Sequence, residues 1–131
     1  MSDEGRERRK FTRYKVWDIK RLIFQMENQT DSKLLVTLSL GGCSFFWPHP
    51  DLNFKPVRPV KCHFEMEPIN SNLPGLKVEL MGNLIYIRTL DLDGFDMAYF
   101  GVEFDEKERD KLQPIVDELG MMANEKKIQF A

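Results

Sequence analysis

The fold is decided by Val60-Lys61-Cys62-His63-Phe64-Glu65-Met66-Glu67, a stretch in which apolar and polar residues alternate strictly. In an extended chain, every second side chain lies on the same face, so this pattern gives one apolar and one polar face. A period of two residues over eight positions is typical of a half-buried β-strand. We therefore expect this stretch to be a strand with its apolar face against the core.

Similar patterns on both sides of this stretch predict further strands. The segment from Tyr14 to Met26 is interpreted as one strand with a bulge near Asp18 to Arg21. Together with the opening stretch, the predicted strands number about six, and the other four are Leu34 to Leu40, Cys43 to Trp47, Leu76 to Ile87 and Ala98 to Phe104. In the first of these four, Leu34, Val36 and Leu38 should share one face, opposite Thr37 and Ser39.

Turn signals separate the predicted strands. Gly41-Gly42 favours a tight connection, and Asp93-Gly94 is a strong signal for a hairpin turn. Prolines from Pro48 to Pro59 and the segment Asn70 to Gly75 mark two loops. About six short strands joined by such turns predict a mainly β fold, a small antiparallel barrel or sandwich.

The last part of the chain has a different composition. Asp105 to Lys127 is rich in Glu, Lys, Leu and Met, which favour helix. We expect a helix over about 105–123, with Asp105 as its N-cap and Glu108 completing a capping box. Pro114 should kink this helix or begin a second short one.

Length and charge bound the domain organisation. The chain has 131 residues, 42% of them hydrophobic, and a net charge of -2. We expect a flexible N-terminal arm over residues 1–7 and a single domain over 8–131. The charge argues against a nucleic-acid partner. No run of 18 apolar residues and no signal peptide is visible, so we expect a cytoplasmic protein without membrane insertion.

The sequence offers little for catalysis or metal binding. Cys43 and Cys62 have no CxxC spacing, and we expect two reduced, buried thiols. His49 and His63 have no partner at metal-ligand spacing, so no metal site is predicted. No nucleophile motif or phosphate-binding loop is found, and the chain is predicted not to be an enzyme.

Three motifs, in order, carry a resemblance to a known family. Arg9-Lys10-Phe11-Thr12-Arg13 is an RxxxR motif before the first predicted strand. Thr37-Leu38-Ser39-Leu40-Gly41-Gly42 is similar to a [D/N]xSxxG motif, and Tyr99 to Phe104 resembles a last strand before a terminal helix. In this order and at these distances, over about Arg8 to Leu119, the chain resembles the PilZ domain family. The resemblance implies a six-stranded antiparallel PilZ-type β-barrel with a C-terminal helix, which binds cyclic di-GMP.

The resemblance also implies a binding site and its ligand contacts. Arg9 and Arg13 would bind phosphate or guanine, since the guanidinium fork can bond either bidentately. An additional arginine at Arg8 implies two ligand molecules per protomer. The second motif implies contacts from four further residues: Thr37, Ser39, Gly41 and Gly42.

Thr37 departs from the family motif and leaves two functions open. The family has Asp or Asn at this position, which accepts from the guanine edge more strongly than a single hydroxyl does. The first hypothesis is a receptor or adaptor that relays the cyclic di-GMP level to an unidentified protein partner through ordering of its Arg-rich arm. The alternative is a degenerate module that binds only protein, through the terminal helix or Phe45-Phe46-Trp47. Core packing is the favoured interpretation of those aromatic residues.

Overall fold

The computed structural model describes residues 11–26, 33–47, 58–68, 72, 74–92 and 94–131. Within these ranges the chain forms seven β-strands, followed by a short 3₁₀ helix and an α-helix. The strands are β1 (Tyr14–Lys15), β2 (Leu22–Met26), β3 (Leu34–Leu38), β4 (Gly42–Trp47), β5 (Arg58–Met66), β6 (Leu76–Leu92) and β7 (Phe95–Phe104). The 3₁₀ helix spans Glu106–Leu112 and the α-helix, α1, spans Gln113–Asn124.

The strands form one sheet in the order β1-β3-β4-β7-β6-β5-β2, and every neighbouring pair is antiparallel. The two outer strands, β1 and β2, come from one short segment of chain. Only residues 16–21 separate them, so the two edges of the sheet must lie close together and the sheet must curl. This confirms the predicted mainly β, antiparallel, barrel-like fold with a helix after the last strand.

The described residues form seven strands where six were predicted. The segment from Tyr14 to Met26 forms two separate strands, β1 and β2, and not one strand with a bulge. β1 pairs with β3, whereas β2 pairs with β5 at the opposite edge of the sheet. The backbone N–H of Val16 still bonds the carbonyl of Val36 at 2.9 Å, and a turn then redirects the chain. The pairing of a strand depends on residues that are distant in sequence, so it cannot be predicted from the local sequence pattern.

The strictly alternating stretch is a strand, as predicted. Val60, Cys62, Phe64 and Met66 of β5 are buried, and the polar residues between them are exposed or half-buried. Aromatic side chains fill the space between the strands, with the Phe24 ring 5.1 Å from both Phe64 and Phe45 between centroids. Burial of such side chains is the main favourable contribution to folding of a domain this size.

The alternation predicted for β3 was wrong in part. Leu35 and Leu38 are both buried, whereas Leu34 is 48% exposed. The register of β3 with β4 shifts between Leu35 and Thr37. The side chains before this shift therefore point to the opposite faces from those expected from strict alternation. A bulge of this kind inserts one residue and reverses the phase of the alternation. Ser39 lies just beyond the end of the strand.

The connection between β6 and β7 is a hairpin, and Gly94 adopts a φ of 86° there. Left-handed backbone of this kind is accessible to glycine without steric cost. On β4, Phe45 and Trp47 are buried, which confirms the favoured core interpretation for these two residues. Phe46 points to the other face and packs on Tyr99, with 4.9 Å between ring centroids.

The segment after β7 folds as two consecutive helices, and Pro114 lies at the start of the second, which is one of the two outcomes predicted for this proline. Pro114 lies in the first turn of α1, where the missing N–H removes no intrahelical hydrogen bond. The side chain of Asp105 makes no capping bond, and the Glu108 carboxylate instead accepts from the backbone N–H of Met81 at 3.2 Å. Buried apolar residues hold this part of the chain against the sheet: Leu112, Ile115, Leu119, Ala123 and Ile128.

Candidate ligand-binding site

The turn between β3 and β4 is organised by the side chain of Ser39. Its hydroxyl oxygen accepts from the backbone N–H groups of Gly41 and Gly42 at 3.1 and 3.2 Å. The same hydroxyl donates to the carbonyl of Gly42 at 3.3 Å. A serine hydroxyl has one proton and two lone pairs, so these contacts use its full capacity. A ligand contact from Ser39 would have to replace one of them.

Both glycines of this turn are in close contact with other parts of the protein. A Cβ on Gly42 would lie 2.2 Å from the carbonyl oxygen of Val102 on β7. A Cβ on Gly41 would lie 2.8 Å from the ring of Phe11. The space left by the missing side chains is therefore filled by protein atoms. A side chain at position 42 would clash with the backbone of β7. A side chain at position 41 would clash with the ring of Phe11, which belongs to the first motif.

Phe11 brings the two predicted motifs together. It belongs to the RxxxR segment, and its ring lies against Gly41 of the second motif. On this ring lies the guanidinium of Arg109, whose Cζ is 5.1 Å from the ring centroid. Arg109 comes from the 3₁₀ helix and its Nε is buried, with no hydrogen-bond partner among the described residues. The N-terminal segment is thus held beside the turn by contacts from two elements.

Two cationic side chains lie on the outer face of the sheet beside this turn. Tyr14 and Val16 are buried, so the alternating residues Arg13 and Lys15, both exposed, point outward. Tyr14 pairs with Leu38, and Lys15 pairs with Thr37. Arg13 therefore lies one position beyond the Tyr14–Leu38 pair, next to the start of the turn.

Thr37 lies on this outer face and is hydrogen-bonded to a second hydroxyl. Its Oγ1 is 2.6 Å from Oγ of Ser44, the residue directly opposite on β4. The neighbours of Ser44, Cys43 and Phe45, are buried in the core, which places Ser44 on the outward side of β4. Ser44 is nonetheless 7% exposed, whereas Thr37 is half-buried. We call Arg13, Lys15, Thr37 and Ser44 the outer-face cluster.

The last residues of the chain fix the backbone of Arg13. The N–H of Ala131 donates to the carbonyl of Arg13, and the N–H of Lys15 donates to the carbonyl of Gln129, at 2.9 and 2.8 Å. Phe130 packs on Tyr14 with 5.5 Å between ring centroids. The start of β1 is thus paired on both sides, with β3 on one and with the last residues on the other.

A groove of about 510 Å³ lies between the N-terminal segment and α1. Its lining is partly apolar, with contributions from Phe11, Tyr14 and Met121. The charged side chain in its described lining is Asp117, which accepts from Gln113 Nε2 at 2.7 Å. A carboxylate at this position repels phosphate, so the groove is a poorer site for a nucleotide than the outer-face cluster.

The structure describes five of the seven predicted site residues and places them near one another. Arg13, Thr37, Ser39, Gly41 and Gly42 lie on or beside the turn between β3 and β4. Arg8 and Arg9 lie outside the described residues. Lys15, Ser44 and Arg109 were not predicted from the sequence. Strand pairing places Lys15 and Ser44 beside Thr37, and the packing of the 3₁₀ helix places Arg109 beside Phe11. The exposed Lys15, alternating with buried Tyr14 and Val16, was the one usable signal.

The described ranges contain no group of three or more His, Cys, Asp or Glu side chains placed to hold a metal ion. They also contain no helix that is both long and apolar enough to cross a membrane. Cys43 and Cys62 are both buried thiols, as predicted. Burial raises the pKa of the Cys43 thiol well above its ordinary value, and nearby Cys62 adds to this effect.

Comparison with known families tests the resemblance directly. The PilZ domain family matches residues 7–118 of the chain. The chain belongs to the PilZ domain family. The match covers all three motifs, β1 to β7 and the first six residues of α1. The family resemblance drawn from the motifs is therefore confirmed.

Two solved structures have a fold similar to that of this chain. The PilZ domain of YcgR from Escherichia coli, solved with c-di-GMP, aligns with a TM-score of 0.60 and 17% identity over 92% of this chain and 97% of that one. The inhibitor of motility MotI/DgrA of Bacillus subtilis aligns with a TM-score of 0.54 and 16% identity over 85% of this chain. The chain spans about half of the MotI structure, 51% of its length. No curated protein matches the chain in sequence.

Proposed function

We propose that this PilZ domain is a cyclic di-GMP receptor that works as a binding module and not as an enzyme. The observation that carries the proposal is the shared position of the two motifs. Phe11 and Arg13 of the first motif lie against the turn formed by the second, although about 25 residues separate them in sequence. Support also comes from the PilZ domain of YcgR, which was solved with this nucleotide.

The outer-face cluster has the chemistry that such a ligand requires. Cyclic di-GMP carries two phosphates and two guanines. Arg13 and Lys15 supply positive charge on the same face as the hydroxyl of Thr37. Arginine can bond phosphate or the O6 and N7 atoms of guanine through two N–H groups at once. Because the cations are exposed, their attraction for the ligand will weaken as salt concentration rises.

The remaining parts of the proposal concern the arm, the stoichiometry and the partner. We propose that Arg8 and Arg9 close over the ligand, and that two ligand molecules bind each protomer. The ordered arm would then change the surface shown to an unidentified protein partner. The cytoplasmic location expected from the sequence belongs to the same proposal. Binding coupled to ordering of a segment costs free energy, so the affinity should depend strongly on each arginine.

A second function is favoured by one observation, the replacement of the family's Asp or Asn by Thr37. In this alternative the chain has kept the PilZ fold and binds a protein partner without the nucleotide. The groove between the N-terminal segment and α1 would then be the docking surface. The two functions differ in one measurable property, which is affinity for cyclic di-GMP.

Calorimetric titration of the whole chain with cyclic di-GMP separates the two functions. The receptor proposal predicts saturable binding that weakens when Arg13 is replaced by alanine, by about 1.5–3 kcal/mol for a charge-assisted hydrogen bond. Lys61→Ala, an exposed cation on β5, is the matched control and should leave binding unchanged. Absence of binding to folded protein up to high micromolar ligand would contradict the receptor function and favour the alternative.

A further inference from the structure

Residues 128–131 return to the sheet after α1, and we call them the C-terminal tail. The turn that redirects the chain begins where the N–H of Lys126 donates to the carbonyl of Ala123 at 3.0 Å. The N–H of Lys127 donates to the carbonyl of Met122 at 2.9 Å, which completes a Schellman motif. Lys126 holds a φ of 61°, a left-handed conformation that glycine usually adopts in this motif. The docked position of the tail therefore strains the backbone at Lys126, and contacts further along the tail must offset that strain.

The side chains of the tail hold it against the sheet through few contacts. Ile128 is buried in the core, whereas Gln129 is exposed and Phe130, which packs on Tyr14, is 47% exposed. A terminal segment with so little buried surface can detach at a free energy well below that of global unfolding. The tail can therefore leave β1 while the rest of the sheet stays folded.

The backbone of β1 bonds a different neighbour at alternate residues, as in any antiparallel arrangement. The N–H of Val16 donates to a carbonyl of β3, whereas the N–H of Lys15 donates to the carbonyl of Gln129 in the tail. The carbonyl of Arg13 accepts from the N–H of Ala131, also in the tail. The side-chain amide oxygen of Gln129 adds a long contact of 3.5 Å to the Lys15 ammonium. Both cationic residues of the outer-face cluster are thus bonded to the tail through their backbones.

We infer that the C-terminal tail is a positioning element for Arg13 and Lys15, and that its docking is coupled to ligand occupancy of the outer-face cluster. This inference rests on the proposed function. β1 has only two residues, and so short a strand needs neighbours on both sides to stay extended. With the tail docked, the extended backbone points both cations to the outer face. With the tail detached, the backbone groups of these residues turn to water and both side chains lose that direction.

The coupling has two consequences that thermodynamics links. Cyclic di-GMP binds more tightly to the form in which the tail is docked. Bound nucleotide must then keep the tail on β1 by the same factor, because coupling between two equilibria is reciprocal. The tail therefore reports ligand occupancy at the edge of the sheet.

Removal of residues 129–131 tests the effect of the tail on the ligand. This truncation keeps all seven strands, α1 and the buried Ile128, so circular dichroism should show the wild-type fold. Cyclic di-GMP should bind about tenfold more weakly in calorimetric titration, the effect of one net hydrogen bond. Phe130→Ala keeps the tail backbone and should give a smaller loss. Lys127→Ala is the matched control, because this side chain pairs with Glu125 at 2.8 Å, and it should bind as the wild type does.

Amide hydrogen exchange in the whole wild-type chain measures the reciprocal effect and needs no variant. Saturating cyclic di-GMP should slow exchange of the Ala131 N–H, by the factor by which the truncation lowers affinity. Unchanged affinity in the folded truncated protein, or exchange at Ala131 that does not respond to the nucleotide, would overturn the role of the tail while the receptor function stands. Absence of cyclic di-GMP binding to the wild-type protein would overturn the receptor function and the coupling together.

Discussion

The guanidinium of Arg109 lies over the ring of Phe11, 5.1 Å from Cζ to the ring centroid. Arg109 comes from the 3₁₀ helix after β7, whereas Phe11 belongs to the RxxxR segment at the other end of the domain. The contact holds this segment beside Gly41, which lies in the turn on which the proposed receptor function depends. The helix after the last strand can therefore influence the candidate site through Phe11.

Arg109→Ala should loosen the N-terminal segment. A cation–π contact at a partly exposed site contributes about 0.5–1 kcal/mol, so global stability should change little. Amide hydrogen exchange at Phe11 and Arg13 should become faster, and cyclic di-GMP affinity should fall severalfold. Lys107→Ala removes an exposed cation from the same helix and is the control. Equal exchange rates at Phe11 in the two variants would show that Arg109 does not restrain the segment.

The two glycines of the turn should respond differently to alanine. In Gly42→Ala the new Cβ meets the Val102 carbonyl at 2.2 Å, and backbone cannot move aside easily. We expect a loss of about 2–3 kcal/mol in the free energy of unfolding, as for an overpacked site. In Gly41→Ala the new Cβ meets the Phe11 ring, which can rotate away. That variant should keep most of its stability and lose ligand affinity, as urea denaturation and titration would show.

Comparable stability losses in these two glycine variants would contradict this distinction. The same result would indicate that the Phe11 ring is as rigid as the backbone of β7.

Ser39→Ala should destabilise the turn. The substitution leaves the N–H groups of the half-buried Gly41 and Gly42 without the acceptor that the buried Ser39 side chain supplies. We expect a loss of about 1–3 kcal/mol, measured by thermal or urea unfolding without ligand. Thr12→Ala removes an exposed hydroxyl from the neighbouring segment and should have little effect. If Ser39→Ala weakened ligand binding and left stability intact, Ser39 would be a ligand contact and not a turn residue.

The buried thiol of Cys43 should make stability decline at alkaline pH. Its pKa is raised by burial above the ordinary value of 9.0, so the folded protein keeps the proton that the unfolded chain releases. The resulting stabilisation is complete below pH 9 and is lost as pH rises toward the raised folded value. One such thiol changes the free energy of unfolding by about 1.4 kcal/mol per pH unit in that range.

Urea denaturation between pH 8 and pH 10.5 measures this effect. The slope of unfolding free energy against pH should be shallower in Cys43→Ala than in the wild-type protein. Comparison of slopes removes the constant cost of the cavity that the substitution creates. Parallel pH profiles would show that the Cys43 thiol titrates normally in the folded state.

Local patterns in the sequence were sufficient for much of the fold. The strand within Val60 to Glu67 could be predicted because one of its faces is buried and the other is not. Such a strand has alternating apolar and polar residues, which are visible in the sequence. Tyr14 to Met26 could not be predicted, because its two halves pair with opposite edges of the sheet. The inversion within β3 also escaped prediction, since a bulge depends on the register with β4.

The same reasoning applies to the candidate site. Both motifs are continuous in sequence, so their residue types could be recognised before their positions were known. Ser44 reaches Thr37 through the register of two strands, and Arg109 reaches Phe11 through the placement of a helix. Neither contact corresponds to a fixed spacing in the sequence, so no sequence motif could have predicted it. Thr37 was recognised as a departure from the motif, but its hydroxyl partner was visible only in three dimensions.

Amide chemical-shift mapping tests most directly where cyclic di-GMP binds. We predict that adding the nucleotide to ¹⁵N-labelled protein shifts the resonances of Arg13, Lys15, Thr37 and Ser39 to Gly42, and leaves β6, which β4 and β7 separate from β3, nearly unchanged. Shifts confined to β2 and β5, or to the α1 side of the groove, would contradict a binding site on the outer-face cluster.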